Sequence, residues 1–232
     1  MRTSFLLGFA LLLSGTALGQ GVFSDIMSGK LINPEEGVFA WYELKDTATG
    51  SKFFMRQAIV GKKQVEGKEG YYLETEVMPE VGFPIIYKML LTGPASDPKN
   101  VHEIMVKDGA KRVEHIPVDT LKGEDQETKE TLREFQGEET LATPAGEIKT
   151  EHFTLGHGDN ASEVWVNDKV RPMGIVRLTS PEGELLLTRF GVGGSDAESA
   201  IDRKLKEQEA DDVKVEVKPG PSRNFSGKSE GE

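Results

Sequence analysis

The sequence predicts a mainly β protein: one curved antiparallel sheet, a half-barrel of about eleven strands, with two or three short helices. Three observations predict it. Segments rich in β-branched and aromatic residues recur from Val38 to Phe190. The pieces between them are short and carry Gly, Pro, Asp and Asn, so neighbouring strands are joined locally, whereas parallel strands need long crossovers. Inside the strands apolar and polar residues alternate, as on a sheet with one buried face.

The elements follow in order. From Gln20 to Asn33, Val22, Phe23, Ile26, Met27 and Leu31 recur at helical spacing, and Asn33-Pro34 ends the helix they predict. Strands are expected at Val38 to Lys45, Lys52 to Val60, Tyr71 to Met78, Ile85 to Thr92, Val101 to Lys107 and Arg112 to Ile116. The turn-prone pieces between them include Gly61 to Gly70 and Asp108-Gly109, the second expected to form a two-residue hairpin turn. In the first strand Val38, Ala40, Tyr42 and Leu44 fall on one face and Phe39, Trp41, Glu43 and Lys45 on the other. Ile85 to Leu91 is apolar on both faces apart from Lys88, which predicts a strand covered on both sides.

Glu124 to Gln136 changes period, with Thr128, Leu132 and Phe135 at helical spacing, and reads as a short helix with a narrow apolar stripe. Five more strands are expected near Glu138 to Thr143, Glu147 to Leu155, Ser162 to Asp168, Gly174 to Ser180 and Glu184 to Phe190. Two of their connections, Thr143-Pro-Ala-Gly146 and Ser180-Pro-Glu-Gly183, have the residue order of a type I turn. A hydroxyl caps the turn, Pro presets φ and Gly relieves the exit.

The ends differ from this body. Residues 1–19 have one basic residue, Arg2, an apolar run Phe5 to Leu13, and small residues before Gln20. That layout is a secretory signal with cleavage near Gly19, and the run is shorter than the about 20 residues that span a bilayer. Residues 20–36 are the helix and a linker, and residues 37–191 the β-rich domain. Residues 192–232 form a charged Gly/Ser/Pro tail, expected to be disordered from about Ser195, with only Ile201 and Leu205 as apolar partners for a transient helix. The mature chain is therefore expected to be periplasmic or extracellular, with no transmembrane segment.

The sequence has no cysteine, which removes disulfides, thiol nucleophiles, Fe-S clusters and Cys-ligated zinc. The formal net charge is −11, and loss of Arg2 with the signal makes it −12. A surface this acidic repels phosphate backbones, so nucleic acid is not expected as a partner. The four histidines, His102, His115, His152 and His157, show no metal-ligand spacing, and the strand pleat splays Glu114-His115 and Glu151-His152 apart. No Gly-x-Ser-x-Gly elbow occurs, and Gly191-Val-Gly-Gly-Ser195 lacks the rest of a phosphate loop. Glu74 and Glu76, like Glu147 and Glu151, read as rows on a solvated sheet face. Sequons at Asn160 and Asn224 matter only in a host that glycosylates exported proteins. No catalytic residue, metal or cofactor is expected.

What remains is the apolar face. Trp41, Met55, Tyr71, Tyr87, Met89 and Trp165 are the candidate ligand-binding residues, because Met and aromatic side chains adapt to irregular apolar ligands. The alternative is that they fill the core.

The element order resembles the periplasmic lipoprotein-carrier fold (LolA/LolB-like): a signal, a helix, a curled antiparallel sheet, and short helices plugging its concave side. The segment Trp165-Val-Asn-Asp-Lys-Val-Arg-Pro-Met-Gly-Ile-Val176 looks like a strand, turn and strand common in exported bacterial proteins of this shape. The resemblance covers most of residues 37–191 in element order, and it carries over no binding residue. It implies a hydrophobic cavity that holds acyl chains; the charged tail is a departure from it. Three readings follow: a non-enzymatic cell-envelope protein binding a lipid, acyl chain or other apolar ligand; a protein-interaction or envelope-assembly factor; and a hydrolase.

Overall fold

A computed structural model describes residues 31–121, 133–156, 158 and 161–214. The expected signal peptide and nearly all of the expected N-terminal helix lie outside them, as do both sequon asparagines and the last 18 residues. One open antiparallel sheet of 11 strands runs through the described residues. The strands are β1 (Val38–Asp46), β2 (Lys52–Val65), β3 (Lys68–Pro79), β4 (Ile85–Leu91), β5 (Val101–Asp108), β6 (Glu114–His115), β7 (Arg133–Thr143), β8 (Gly146–Leu155), β9 (Ser162–Val166), β10 (Ile175–Thr179) and β11 (Gly183–Val192). A single α-helix among the described residues, α1 (Ala200–Lys214), follows β11.

The spatial order is β6-β5-β4-β3-β2-β1-β11-β10-β9-β8-β7. Two meanders, each built of strands adjacent in sequence, are thus joined where β1 pairs with β11, from Val38 opposite Val192 to Asp46 opposite Gly183. At the other end β7 approaches β11, so that half of the sheet curls over.

Turn chemistry fixes the local pairings. The tightest connection is Glu66-Gly67 between β2 and β3, with φ of 50° and 82°, the two positive angles that a type I′ hairpin requires. Both strands therefore run further into the expected Gly61 to Gly70 turn than predicted. Ser180-Pro-Glu-Gly183 turns as expected: Gly183 N donates to Ser180 O at 3.2 Å and Ser180 N to Gly183 O at 2.8 Å. At Thr143-Pro-Ala-Gly146 the hydroxyl accepts from Ala145 N at 3.1 Å. Asp108-Gly109 is not a two-residue turn. Asp108 ends β5, only Gly109 has positive φ, and β6 begins at Glu114.

Two expectations are corrected. The helix predicted to Gln136 does not extend there, because Arg133 to Phe135 pair with β8 and Gln136 sits at a bulge within β7; the rest of that prediction lies outside the described residues. Of the stretch expected to be disordered from about Ser195, the described part, residues 195–214, instead forms a 3-10 turn, Ser195–Ala197, and then α1, whose Ile201 is fully buried. Propensity misjudged it because its partners are charged side chains of the sheet.

Most of the core lies on one face. Ala40, Tyr42, Met55, Leu178, Leu185 and Leu187 pack with Val170 and Met173 of the β9–β10 connection. Val38, Ile59, Leu73, Leu91, Val101 and Ile104 continue it across the other meander. Tyr42 is 0% exposed, and its hydroxyl has no hydrogen-bond partner among the described residues. An unsatisfied buried hydroxyl costs about 1–3 kcal/mol. Tyr42→Phe is accordingly expected to raise stability by about 1 kcal/mol, measured as a higher urea midpoint at unchanged m; a clear loss would mean that the hydroxyl has a partner.

Candidate functional site

The register divides the six candidate residues. Met55 lies opposite Val77, Leu73 opposite Met89, and Thr75 opposite Tyr87, so Met55, Tyr87 and Met89 share a face with Tyr71, Tyr42 and Leu187. Met55 is buried among the core residues, while Tyr71, Tyr87 and Met89 are half-buried. With Ile85 and Val106 they make a row across β3, β4 and β5 that is less covered than the β8–β11 half. Burial, and then the charge of Asp108, push the Tyr87 phenol up to about 12, so it stays a neutral hydroxyl at any physiological pH. The Tyr71 phenol is also raised, first by its hydrogen bond to Glu69.

Trp41 is on the opposite face, while Trp165, 6% exposed, is packed into the larger core cluster. Trp41 pairs with Arg56 and Arg189, and its indole Nε1 donates to Asp196 Oδ1 at 3.1 Å. Trp165 pairs with Arg177 and His152, stacks on the His152 ring at 4.3 Å, and donates from its indole to Glu139. The six residues therefore do not converge on one place.

That opposite face carries a second, unexpected cluster. Glu74 is 0% exposed, Arg56 3% and Lys88 6%, against the expectation of a solvated row at Glu74 and Glu76. Arg56 donates to Glu74, to Glu76 Oε2 at 3.1 Å, and to the carbonyls of Asp196 at 2.8 Å and Glu198 at 3.3 Å. Glu74 also accepts from Ser199 Oγ at 2.7 Å, Ala200 N at 2.8 Å and Ile201 N at 3.2 Å. Lys88 Nζ reaches Asp202 Oδ1 at 2.5 Å. Glu74 thus meets the otherwise unpaired amides of the first turn of α1, where a carboxylate is favoured, and Ser199 caps the same turn by accepting from Asp202 N at 3.1 Å. Two signals pointed to this arrangement: Lys88 as the one charge in an apolar strand, and Ser199-x-x-Asp202 as a capping pattern.

Arg56 and Glu74 are thus engaged with each other, and both, like Lys88, with the stretch from Asp196 to Asp202. Among the described residues there is no group of three or more His, Asp or Glu side chains placed to hold a metal, and no helix is long and apolar enough to cross a membrane.

No family model and no curated protein matches the sequence. Solved structures similar to it include a protein from Bacteroides fragilis described as exported with a YmcC-like fold, 11% identical, covering 70% of this chain and 99% of its own, with a TM-score of 0.39. Another is a protein from Parabacteroides distasonis described as a lipoprotein, 13% identical, covering 70% and 99%, with a TM-score of 0.37. A third is a domain from Vibrio parahaemolyticus described as an outer-membrane lipoprotein-sorting protein, 12% identical, covering 82% and 97%, with a TM-score of 0.32. No residue's role is taken from them.

Proposed function

We propose that the chain is a non-enzymatic protein of the cell envelope that binds a lipid, an acyl chain or another apolar ligand on the apolar face of its sheet. The observation that carries this reading is the row of half-buried Tyr71, Tyr87, Met89 and Val106 across β3–β5, beside the larger buried core cluster of the β8–β11 half. Aromatic and thioether side chains in such a row offer area and adaptability to a flexible apolar ligand, with tyrosine hydroxyls to meet a polar end. Native mass spectrometry of the mature protein from its own envelope, before and after organic extraction, tests it. The expected result is a mass excess that extraction removes and that fragments as acyl chains; a bare polypeptide mass speaks against it.

The interaction-factor reading is favoured by a different observation. The β3–β4 connection presents Val81 at 91% and Phe83 at 68% exposure, between Pro79 and Pro84. Exposed apolar side chains on a loop held between prolines suit a protein contact. On this reading Val81→Ser with Phe83→Ser removes a defined partner from affinity purification while thermal stability is unchanged; the same partners at the same yield would dismiss it.

A further inference from the structure

We propose that Ser195–Lys214 is a detachable strap that braces strands β2, β3 and β4 from behind, and so sets the stiffness of the apolar face. Its bearing on ligand binding rests on the carrier reading above; the bracing itself does not.

The argument starts from what holds the segment. Beneath α1 the apolar contact is small: Ala200 and Ile201 are buried against Ile86, with Met105, Val113 and Leu205 packed around them. Most of the docking is polar. It joins three adjacent strands through one residue each, Arg56 of β2, Glu74 of β3 and Lys88 of β4, to the stretch from Asp196 to Asp202. A flank adds Trp41 and Arg189, which both donate to Asp196 Oδ1.

Two features make this docking separable from the fold. Gly193 and Gly194 lead into the segment with φ of 77° and 71°, angles that strain other residues, and since Gly193 N is held by Gly37 O at 2.8 Å the hinge falls after it, at Gly194. The surface left behind when the strap lifts is mainly charged, so water solvates Arg56, Glu74 and Lys88 in place of the strap; an apolar seat would stay exposed at far greater cost. Both states are therefore accessible to the folded chain, as in segments that open locally below the energy of global unfolding.

The effect on the other face follows from the pleat. Arg56 is the neighbour of Met55, and Lys88 sits between Tyr87 and Met89, so each strap contact fixes a residue whose neighbours point to the apolar side. With the strap docked the spacing of the three strands is clamped and the face is pre-organised; with it lifted, ordering the face becomes part of the cost of binding.

The test is hydrogen exchange on the full, ligand-free chain carrying Ile201→Asp, which sets a carboxylate beside Glu74 and leaves the sheet's sequence intact. Arg203→Ala, at an exposed site on the same helix, is the control. The expected result is exchange about tenfold faster or more in peptides spanning 52–91, with peptides spanning 146–192 unchanged and the control like the parent. Deprotection confined to 196–214 would overturn the proposal, since the segment would then lift without slackening the strands. Deprotection of every peptide would overturn it too, because the segment would then belong to the cooperative core. Since no ligand is present, failure of the carrier reading leaves this result standing, and failure here leaves the carrier reading standing.

Discussion

Leu187→Ala is expected to lower the free energy of unfolding by about 3 kcal/mol. Leu187 is fully buried in β11, opposite Tyr42 and packed within the larger core cluster. Its loss removes apolar contact and leaves a cavity that a strand in mid-sheet has little freedom to close, and such truncations cost about 2–5 kcal/mol. With m near 2 kcal/mol/M in urea, the midpoint falls by about 1.5 M. Leu186→Ala, at a half-buried site on the other face, is the comparison, and its cost is expected to be below about 1.5 kcal/mol. Equal losses at the two sites would mean that the apolar side of the sheet is not where stability resides.

The second large effect belongs to the same pair of strands. A Cβ at position 183 would stand 2.6 Å from the backbone oxygen of Lys45, closer than any relaxed contact, and the obstacle is main chain that cannot rotate away. Gly183→Val is expected to cost about 3 kcal/mol, at the upper end of overpacking penalties, with the damage greatest in the β1–β11 pairing. Exchange of the amides of residues 44–46 and 183–186 would rise first. If Gly183→Val unfolds at the parent's midpoint, the two strands are not held as closely as the register implies.

Much of the fold was legible because the chain obeys local rules. Most strands pair with a sequence neighbour, so turn residues and alternation place them, and Lys52, Ile85, Val101 and Ser162 begin strands where composition alone put them. Strand ends were less legible at Val65 and Lys68, because the type I′ turn that joins them uses Glu66 in place of the usual Asn or Asp. The charged face was misread for a physical reason. Glu74 looks like any exposed carboxylate until a segment more than a hundred residues away delivers its amides; Lys88 and Ser199-x-x-Asp202 mark the two sides of that meeting, and nothing local pairs them. Residues 195–214 were misread for the complementary reason: the segment has few apolar residues because its seat on the sheet is ionic.

The candidate ligand residues show the same boundary. Alternation within the first strand already sets Trp41 and Tyr42 on opposite faces, so a list chosen by residue type gathered side chains that the pleat keeps apart. Pleat parity sorts them strand by strand; distance between strands comes only from the pairing order.

The pairing of the first strand with the last has a consequence for how the molecule comes to exist. Each meander is built of hairpins, whose closure is fast where the loops are short. The seam between them is the exception, since Val38 waits for Val192. Until the final strand arrives, β1 offers an open hydrogen-bonding edge beside apolar Val38, Ala40 and Tyr42, a template for any passing strand of another chain. The folding chain is thus most vulnerable while the first meander has formed and the second has not, and that exposure ends when β11 docks on β1.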